Sequence, residues 1–441
     1  MVVQQTAQRG PKIGLRRRTD AAAQASRMNA NKFLFIASDY KPKEGGRADY
    51  IDNLARGLIS IGSTTKVLAV VQPHQKERLA FLQKYEEWVI PFEVVHDERP
   101  GNWLGNKFVS LLEIVRCLSP KARRVLEKTS YFRASADSLA RLEGILANEK
   151  PTMIVFGHLD MRLYPFALFL LERKVPYGII AHECEIYPFR NRINEFIRRG
   201  AMLKGAQWIA ANSRHTKSLV EMWGIPGGRI KIVYPPISQG AIQARLHSEQ
   251  SREMRDELNV VTICRLVKPK GIDTVLRALR ILDARGVPFR YVIGGDGVER
   301  KVLEALVDEL GLRNRVHFMG YITEDEKWCL LRTSDVFVMA SRVDPKTQHE
   351  GFGIAYVEAS ALGLPAIGSR AGGIPDAVVD GETGILVPQE SPEDLAEALT
   401  FLYRNPEKRM EMGRAGMERA RRQFSPTAVA AHFQQEILEN V

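Results

Sequence analysis

Asn31–Ser38, NKFLFIAS, runs into a loop of Lys, Pro and Gly residues and then into Ala48–Ile61, where Tyr50, Ile51, Leu54, Leu58 and Ile61 recur at helical spacing. A short apolar run, a loop and an amphipathic helix make the β-loop-α opening of a parallel sheet covered on both faces. The pattern repeats outward from there. Thr65–Val71, Met153–Phe156, Tyr177–Ala181, Trp208–Ala211 and Ile230–Val233 read as further strands of a first domain. A second series starts at Asn259–Cys264 and continues through Arg290–Gly294, Val316–Phe318, Val336–Met339 and Ala366–Gly368. Pro235-Pro236 and the polar stretch Ser238–Arg255 separate the two series and mark the junction. The expected class is α/β, with Rossmann-like domains over residues 31–236 and 237–424 behind a basic, disordered tail at 1–30. Ser425-Pro426 has the form of a capped helix start, and the helix of 425–441 is expected to cross back to the first domain.

Residues 73–150 exceed what a minimal Rossmann half requires. Phe108–Leu118 and Ala122–Tyr131 read as basic amphipathic helices, so a helical insertion is expected there. Its apolar stripe either packs inward, as in most soluble proteins, or docks on a membrane surface.

Composition sets the outer limits. A chain of 441 residues, 45% hydrophobic and 26% charged, is long enough for two ordinary cores. Its longest apolar runs stop far short of the roughly 20 residues of a membrane span, and the first 30 residues hold no apolar stretch of the kind a secretory signal needs. The four cysteines, Cys117, Cys184, Cys264 and Cys329, have no metal-ligand spacing and fit a reducing compartment, so a cytoplasmic location is expected. Residues 1–250 carry 38 Lys+Arg against 23 Asp+Glu, whereas residues 251–441 carry 25 against 29. The basic half is therefore expected to face something acidic. No nucleic-acid-binding motif accompanies it; a phosphate-bearing acceptor or an anionic membrane surface fits better.

The chemistry concentrates in Glu350-Gly-Phe-Gly-Ile-Ala-Tyr-Val-Glu358. Gly351 and Gly353 flank Phe352 and let the main chain approach a ligand closely. The helix starting near Ile354 would offer its N–H groups to phosphate. Glu358, more than one turn further on, is placed to accept hydrogen bonds from two vicinal ribose hydroxyls. Two glutamates eight apart are common; the Gly-Phe-Gly between them is what singles this pair out.

This segment resembles the Glu-x7-Glu motif of the family 4 retaining glycosyltransferases, which have the GT-B fold: two Rossmann-like domains facing a central cleft. Other stretches resemble the family in the same order: Thr262–Ile272 (TICRLVKPKGI), Ile293–Arg300 (IGGDGVER), Val316–Ile322 (VHFMGYI), Ser334–Arg342 (SDVFVMASR) and Glu350–Pro388. The resemblance covers residues 32–72 and about 152–400 and leaves 73–150 unmatched. It implies that Arg265 and Lys270 bind the donor's diphosphate, with Lys268 an ordinary solvated lysine. Glu44-Gly45-Gly46 looks like the family's glycine loop, which approaches those phosphates across the cleft, although a simple turn would also use two glycines. His182, after the strand Tyr177–Ala181, stands where family members carry a histidine facing the reacting sugar. His158 and Glu183 are further candidates for the acceptor side.

The resemblance implies transfer of a hexose from a UDP- or GDP-sugar to a glycan or lipid-linked acceptor in surface polysaccharide or glycolipid synthesis, with retention of configuration. Glu350 would bind donor-sugar hydroxyls and stabilise positive charge, while a leaving phosphate oxygen takes the acceptor proton. No Asp-x-Asp motif is present, so neither metal nor cofactor is expected. No Gly-x-Gly-x-x-Gly opens the first helix, which weighs against a nicotinamide enzyme. A GT-B epimerase or phosphorylase is a rival within enzymology, and a non-catalytic nucleotide-sugar-binding or membrane-associated scaffold is the rival outside it.

Overall fold

The computed structural model describes residues 31–42, 45–72, 74–94, 134–187, 193–246, 256–343 and 350–438. Strands β1 (Lys32–Ala37), β2 (Thr64–Val71), β3 (Val89–Glu93), β4 (Met153–Phe156), β5 (Gly178–Ala181), β6 (Trp208–Ala211) and β7 (Ile230–Ile232) form a parallel sheet in the order β3-β2-β1-β4-β5-β6-β7. A second parallel sheet has the order β10-β9-β8-β11-β12-β13, from β8 (Leu258–Ile263), β9 (Phe289–Gly294), β10 (Val316–Gly320), β11 (Val336–Met339), β12 (Ala366–Ser369) and β13 (Gly384–Val387). Of the helices, α1 (Gly46–Ser60) follows β1, α2 (Glu183–Ile186) follows β5, α3 (Glu324–Thr333) follows β10, α4 (Ile354–Ala361) follows β11 and α5 (Pro426–Leu438) closes the described chain.

Burial on both faces explains why the central strands are apolar without alternation. In β1, Leu34 and Ile36 enter one core with Leu68 and Phe156, while Phe33, Phe35 and Ala37 enter the other with Ile51 and Leu54. Strand order reverses between β1 and β4 in the first sheet and between β8 and β11 in the second. Ligands of open parallel sheets bind at such reversals, beyond the carboxyl ends of the strands.

Residues 74–94 extend the first sheet into the segment read as an insertion, with the helix Lys76–Leu82 leading into β3. β3 is an edge strand whose Pro91 pairs with Ala69; an edge tolerates a residue without an N–H donor. The helix Ala136–Glu149 is capped by Ser135, whose Oγ accepts from the Ser138 N–H at 3.2 Å, and it buries Leu142 in the core. The helices expected at 108–118 and 122–131, and the tail at 1–30, lie outside the described residues.

Helix α5 packs on the first domain, where Val429, Ala430, Phe433 and Ile437 join the core of the first sheet. Phe433 lies 5.8 Å from Phe33 and 5.7 Å from Trp208, ring centre to ring centre. A Cβ at Gly57 of α1 would stand 2.1 Å from the Pro426 carbonyl oxygen, so the approach of α5 to α1 depends on that glycine. The chain therefore passes between the domains twice, near 233–237 and near 424–426. The two passages are joined where the Ile237 N–H donates to the Phe424 carbonyl at 2.8 Å, and the rings of Tyr234, Phe352 and Phe424 pack around the join.

Candidate active site

Gly353 caps α4 with φ +94°, a backbone conformation that strains any other residue, and a Cβ there would lie 2.5 Å from the Tyr356 ring. This turn brings the first residues of α4 onto a cavity of about 380 Å³ between the two sheets. The loop ahead of it is pinned from behind by the Gly373 N–H, which donates to the Glu350 carbonyl at 2.8 Å. Across the cavity, Gly45 and Gly46 open α1, and the Cβ position of Gly46 is 3.9 Å from Ile354 Cδ1. The N-termini of α1 and α4 thus meet over one space, each with the N–H groups and positive dipole end that favour an anion.

The cavity wall includes His182, Glu350, Gly45, Gly46, Arg265, Gly351, Phe352, Gly353 and Ile354 among the residues nominated from sequence. Lys270 and Glu358 are not part of this wall, and Lys270 reaches it through Glu350. Lys270 Nζ donates to Glu350 Oε2 at 2.5 Å. Burial works against the Lys270 ammonium, but the Glu350 carboxylate outweighs it and holds the pKa above the ordinary lysine value. Glu358 is 9% exposed and its Oε1 accepts from Lys327 Nζ at 3.1 Å.

His182 caps α2, with Nε2 3.1 Å from the Gly157 carbonyl and its ring edge-on to Tyr50 at 5.3 Å. Burial pushes its pKa below the usual histidine value, so the imidazole is neutral at neutral pH. With Nε2–H donating to Gly157, Nδ1 is left as an acceptor. Glu183 lines the cavity beside it. His158 does not: it is fully buried, 2.9 Å from Ser38 Oγ, and burial lowers its pKa to about 4. The Cys184 thiol on the wall is pushed up to about 12 by burial and is no nucleophile.

Four side chains at or beside the cavity, Asp39, Arg47, Glu185 and Asn212, were not read from sequence. Arg47 bridges Asp39 at 2.6 Å and Glu185 at 2.7 Å, and the second Glu185 oxygen accepts from the Leu159 N–H at 2.7 Å. Asn212 lines the cavity at the end of β6, and its Oδ1 is buried without a hydrogen-bond partner. A usable signal existed for Arg47: a cation at the second residue of a helix opposes the dipole and needs a reason to be there. Asn212 gave none. Among the described residues, no three His, Cys, Asp or Glu side chains gather as a metal-binding group.

Residues 244–419 match the family "Glycosyl transferases group 1". The matched segment spans the second sheet, α3 and α4. Among relatives, a GDP-mannose-dependent alpha-(1-6)-phosphatidylinositol monomannoside mannosyltransferase of Mycolicibacterium smegmatis is 31% identical over 209 residues, covering 46% of this chain and 55% of that protein. A D-inositol 3-phosphate glycosyltransferase of Corynebacterium glutamicum is 29% identical over 245 residues, 53% of this chain and 57% of the relative. The matched region thus spans about half the length of these relatives. The solved structure of Anabaena Alr3699/HepE in complex with UDP and glucose superposes with a TM-score of 0.64 at 18% identity, covering 93% of this chain and 100% of that one. The fold is GT-B, as the resemblance implied.

Proposed function

We propose that this chain is a retaining glycosyltransferase that moves a hexose from a UDP- or GDP-sugar to a glycan or lipid-linked acceptor. The observation that carries the reading is the meeting of the Gly45-Gly46 turn and the Gly351–Ile354 turn across one cavity bordered by Arg265 and Glu350. A diphosphate laid between the two helix N-termini would be held by backbone N–H groups and Arg265, with Lys270 behind Glu350. As the bond from the sugar's anomeric carbon to the phosphate oxygen breaks, these groups stabilise the departing negative charge and do the work a metal does elsewhere. The acceptor oxygen attacks from the same face, and its proton passes to the leaving phosphate oxygen. Glu350 then faces the positive charge that builds on the sugar, with His182 Nδ1 accepting from a sugar hydroxyl.

The relatives' printed names support a sugar-nucleotide donor and a phosphate-bearing acceptor for this chain, in keeping with the basic balance of residues 1–250. We place the reaction in the cytoplasm, at the inner face of a membrane. Thermal melting of the purified protein with UDP, GDP and their glucose and mannose conjugates tests the donor assignment. One nucleotide series should raise the melting temperature by several degrees; no shift with any of them would remove the proposal.

A further inference from the structure

Lys327 lies off the cavity wall, and no sequence motif pointed to it. Its Nζ donates to Glu358 Oε1 at 3.1 Å and is held on its other side by Glu324, one helical turn earlier, at 2.7 Å. The start of α3 is fixed by a reciprocal cap: the Glu326 N–H donates to Thr323 Oγ1 at 3.3 Å, and the Thr323 N–H donates to Glu326 Oε2 at 2.7 Å. Trp328 anchors the same turn in the core, and Lys327 Nζ lies 4.0 Å from the centre of its ring. The ammonium is therefore clamped by a helix start, an aromatic face and a second carboxylate, with its side chain 14% exposed. A lysine near the N-terminus of a helix opposes the dipole, and sequestering a charged pair costs several kcal/mol of desolvation before attraction offsets it. Two apolar side chains of similar volume would avoid both costs, so a reason beyond packing is called for.

We propose that Lys327 is a positioning residue for the donor: it engages Oε1 of Glu358 and fixes that carboxylate in one orientation, leaving its remaining lone pairs for the vicinal hydroxyls of the nucleotide's ribose. A carboxylate has about four acceptor sites, enough for one ammonium and two hydroxyls together. Without Lys327, Glu358 would face burial plus the negative charges of Glu324 and of Asp49 on α1 across the cleft, each of which favours its protonated form. A protonated carboxyl gives up acceptor capacity and the charge-assisted strength of what remains. The inference rests on the nucleotide-sugar reading above and adds to it the residue that makes the ribose contact depend on α3.

The test is calorimetric binding of UDP and GDP and of their 2′-deoxy counterparts to wild type, Lys327→Met, Lys327→Arg and Glu358→Gln. Wild type should bind the ribonucleotide of its preferred base about tenfold or more tighter than the deoxynucleotide. Lys327→Met should weaken the ribonucleotide by a similar factor and nearly erase the discrimination, and Lys327→Arg should restore most of both. Adding Lys327→Met to Glu358→Gln should cost little more. The loss of ribonucleotide binding on acidification should also begin at higher pH in Lys327→Met than in wild type, which a purely structural role would not produce. Undiminished ribose discrimination in a folded Lys327→Met protein overturns this inference alone. A wild type that binds neither ribonucleotide overturns the donor reading and this inference with it.

Discussion

Lys270 and Glu358 are each engaged by an oppositely charged side chain of the chain itself, Lys270 by Glu350 and Glu358 by Lys327. Their rotamers are thus set before a donor arrives, which is how a site avoids reorganisation during the reaction. Lys270→Ala and Glu358→Ala should each cost about 2–4 kcal/mol of transition-state stabilisation, roughly 30- to 1000-fold in kcat/KM. Both should keep a cooperative melt, since Lys327 retains Glu324 when Glu358 is removed; near wild-type turnover in either would contradict the placement. His158 makes a separate prediction. Its pKa is about 4 in the folded protein against 6.5 in the unfolded chain, so the unfolded state takes up the proton first as pH falls. The associated stability is complete above pH 6.5 and is lost progressively toward pH 4. Wild type should lose about 2 kcal/mol more than His158→Gln between pH 7.5 and pH 5 in urea titrations; parallel losses would contradict it. At this scale, glycines and carboxylates at fixed offsets were legible because a turn and a helix fix their geometry locally. The Lys327–Glu358 and Arg47–Glu185 pairs were not, because partners 31 and 138 residues apart meet through tertiary packing.

Strands with a continuous apolar run were readable from sequence, whereas β3 and β13 were not singled out. VIPFE contains a proline that argues against a strand unless the edge position is already known, and GILV is four residues opened by a glycine. The segment 73–150 read as a single insertion for the same reason: without β3, β2 becomes the edge of the sheet. Helix α5 belongs by sequence to the end of the second domain and by packing to the core of the first, where it lies on α1 behind the glycine turn. Phe433→Ala should therefore destabilise the first domain by about 3–5 kcal/mol, the usual cost of emptying a buried aromatic site. Chemical denaturation followed by far-UV circular dichroism and by tryptophan fluorescence, to which Trp208 on Phe433 contributes, checks this; a cost below 1 kcal/mol would show that α5 is not part of that core.

On the scale of the whole molecule, the two domains also meet through side chains. Asp376, 3% exposed and following β12, accepts from the Arg214 N–H at 2.8 Å, from Arg214 Nε at 2.5 Å and from Tyr234 Oη at 3.0 Å. Together with the close approach of Gly351 to Glu183, these bonds join the two domains at the cleft. On the first domain, Phe196 of the helix Ile193–Gly205 is 42% exposed and stacks on Trp223 at 4.5 Å, beside Met222 at 59% exposure. An exposed aromatic side chain on a basic helix, with Met222 exposed nearby, suits an anionic membrane surface. No helix among the described residues is long and apolar enough to cross a membrane. The protein should co-sediment with vesicles containing acidic lipid at low salt and be released as salt rises, because screening removes about 1 kcal/mol per Lys or Arg near the surface; equal binding to neutral vesicles, or none at low salt, would contradict this. The most direct test of the glycosyltransferase assignment is NMR of the product formed from the preferred nucleotide sugar in excess EDTA. The anomeric proton of the transferred hexose should report the donor's own configuration with turnover undiminished by the chelator, whereas an inverted product would contradict a retaining mechanism.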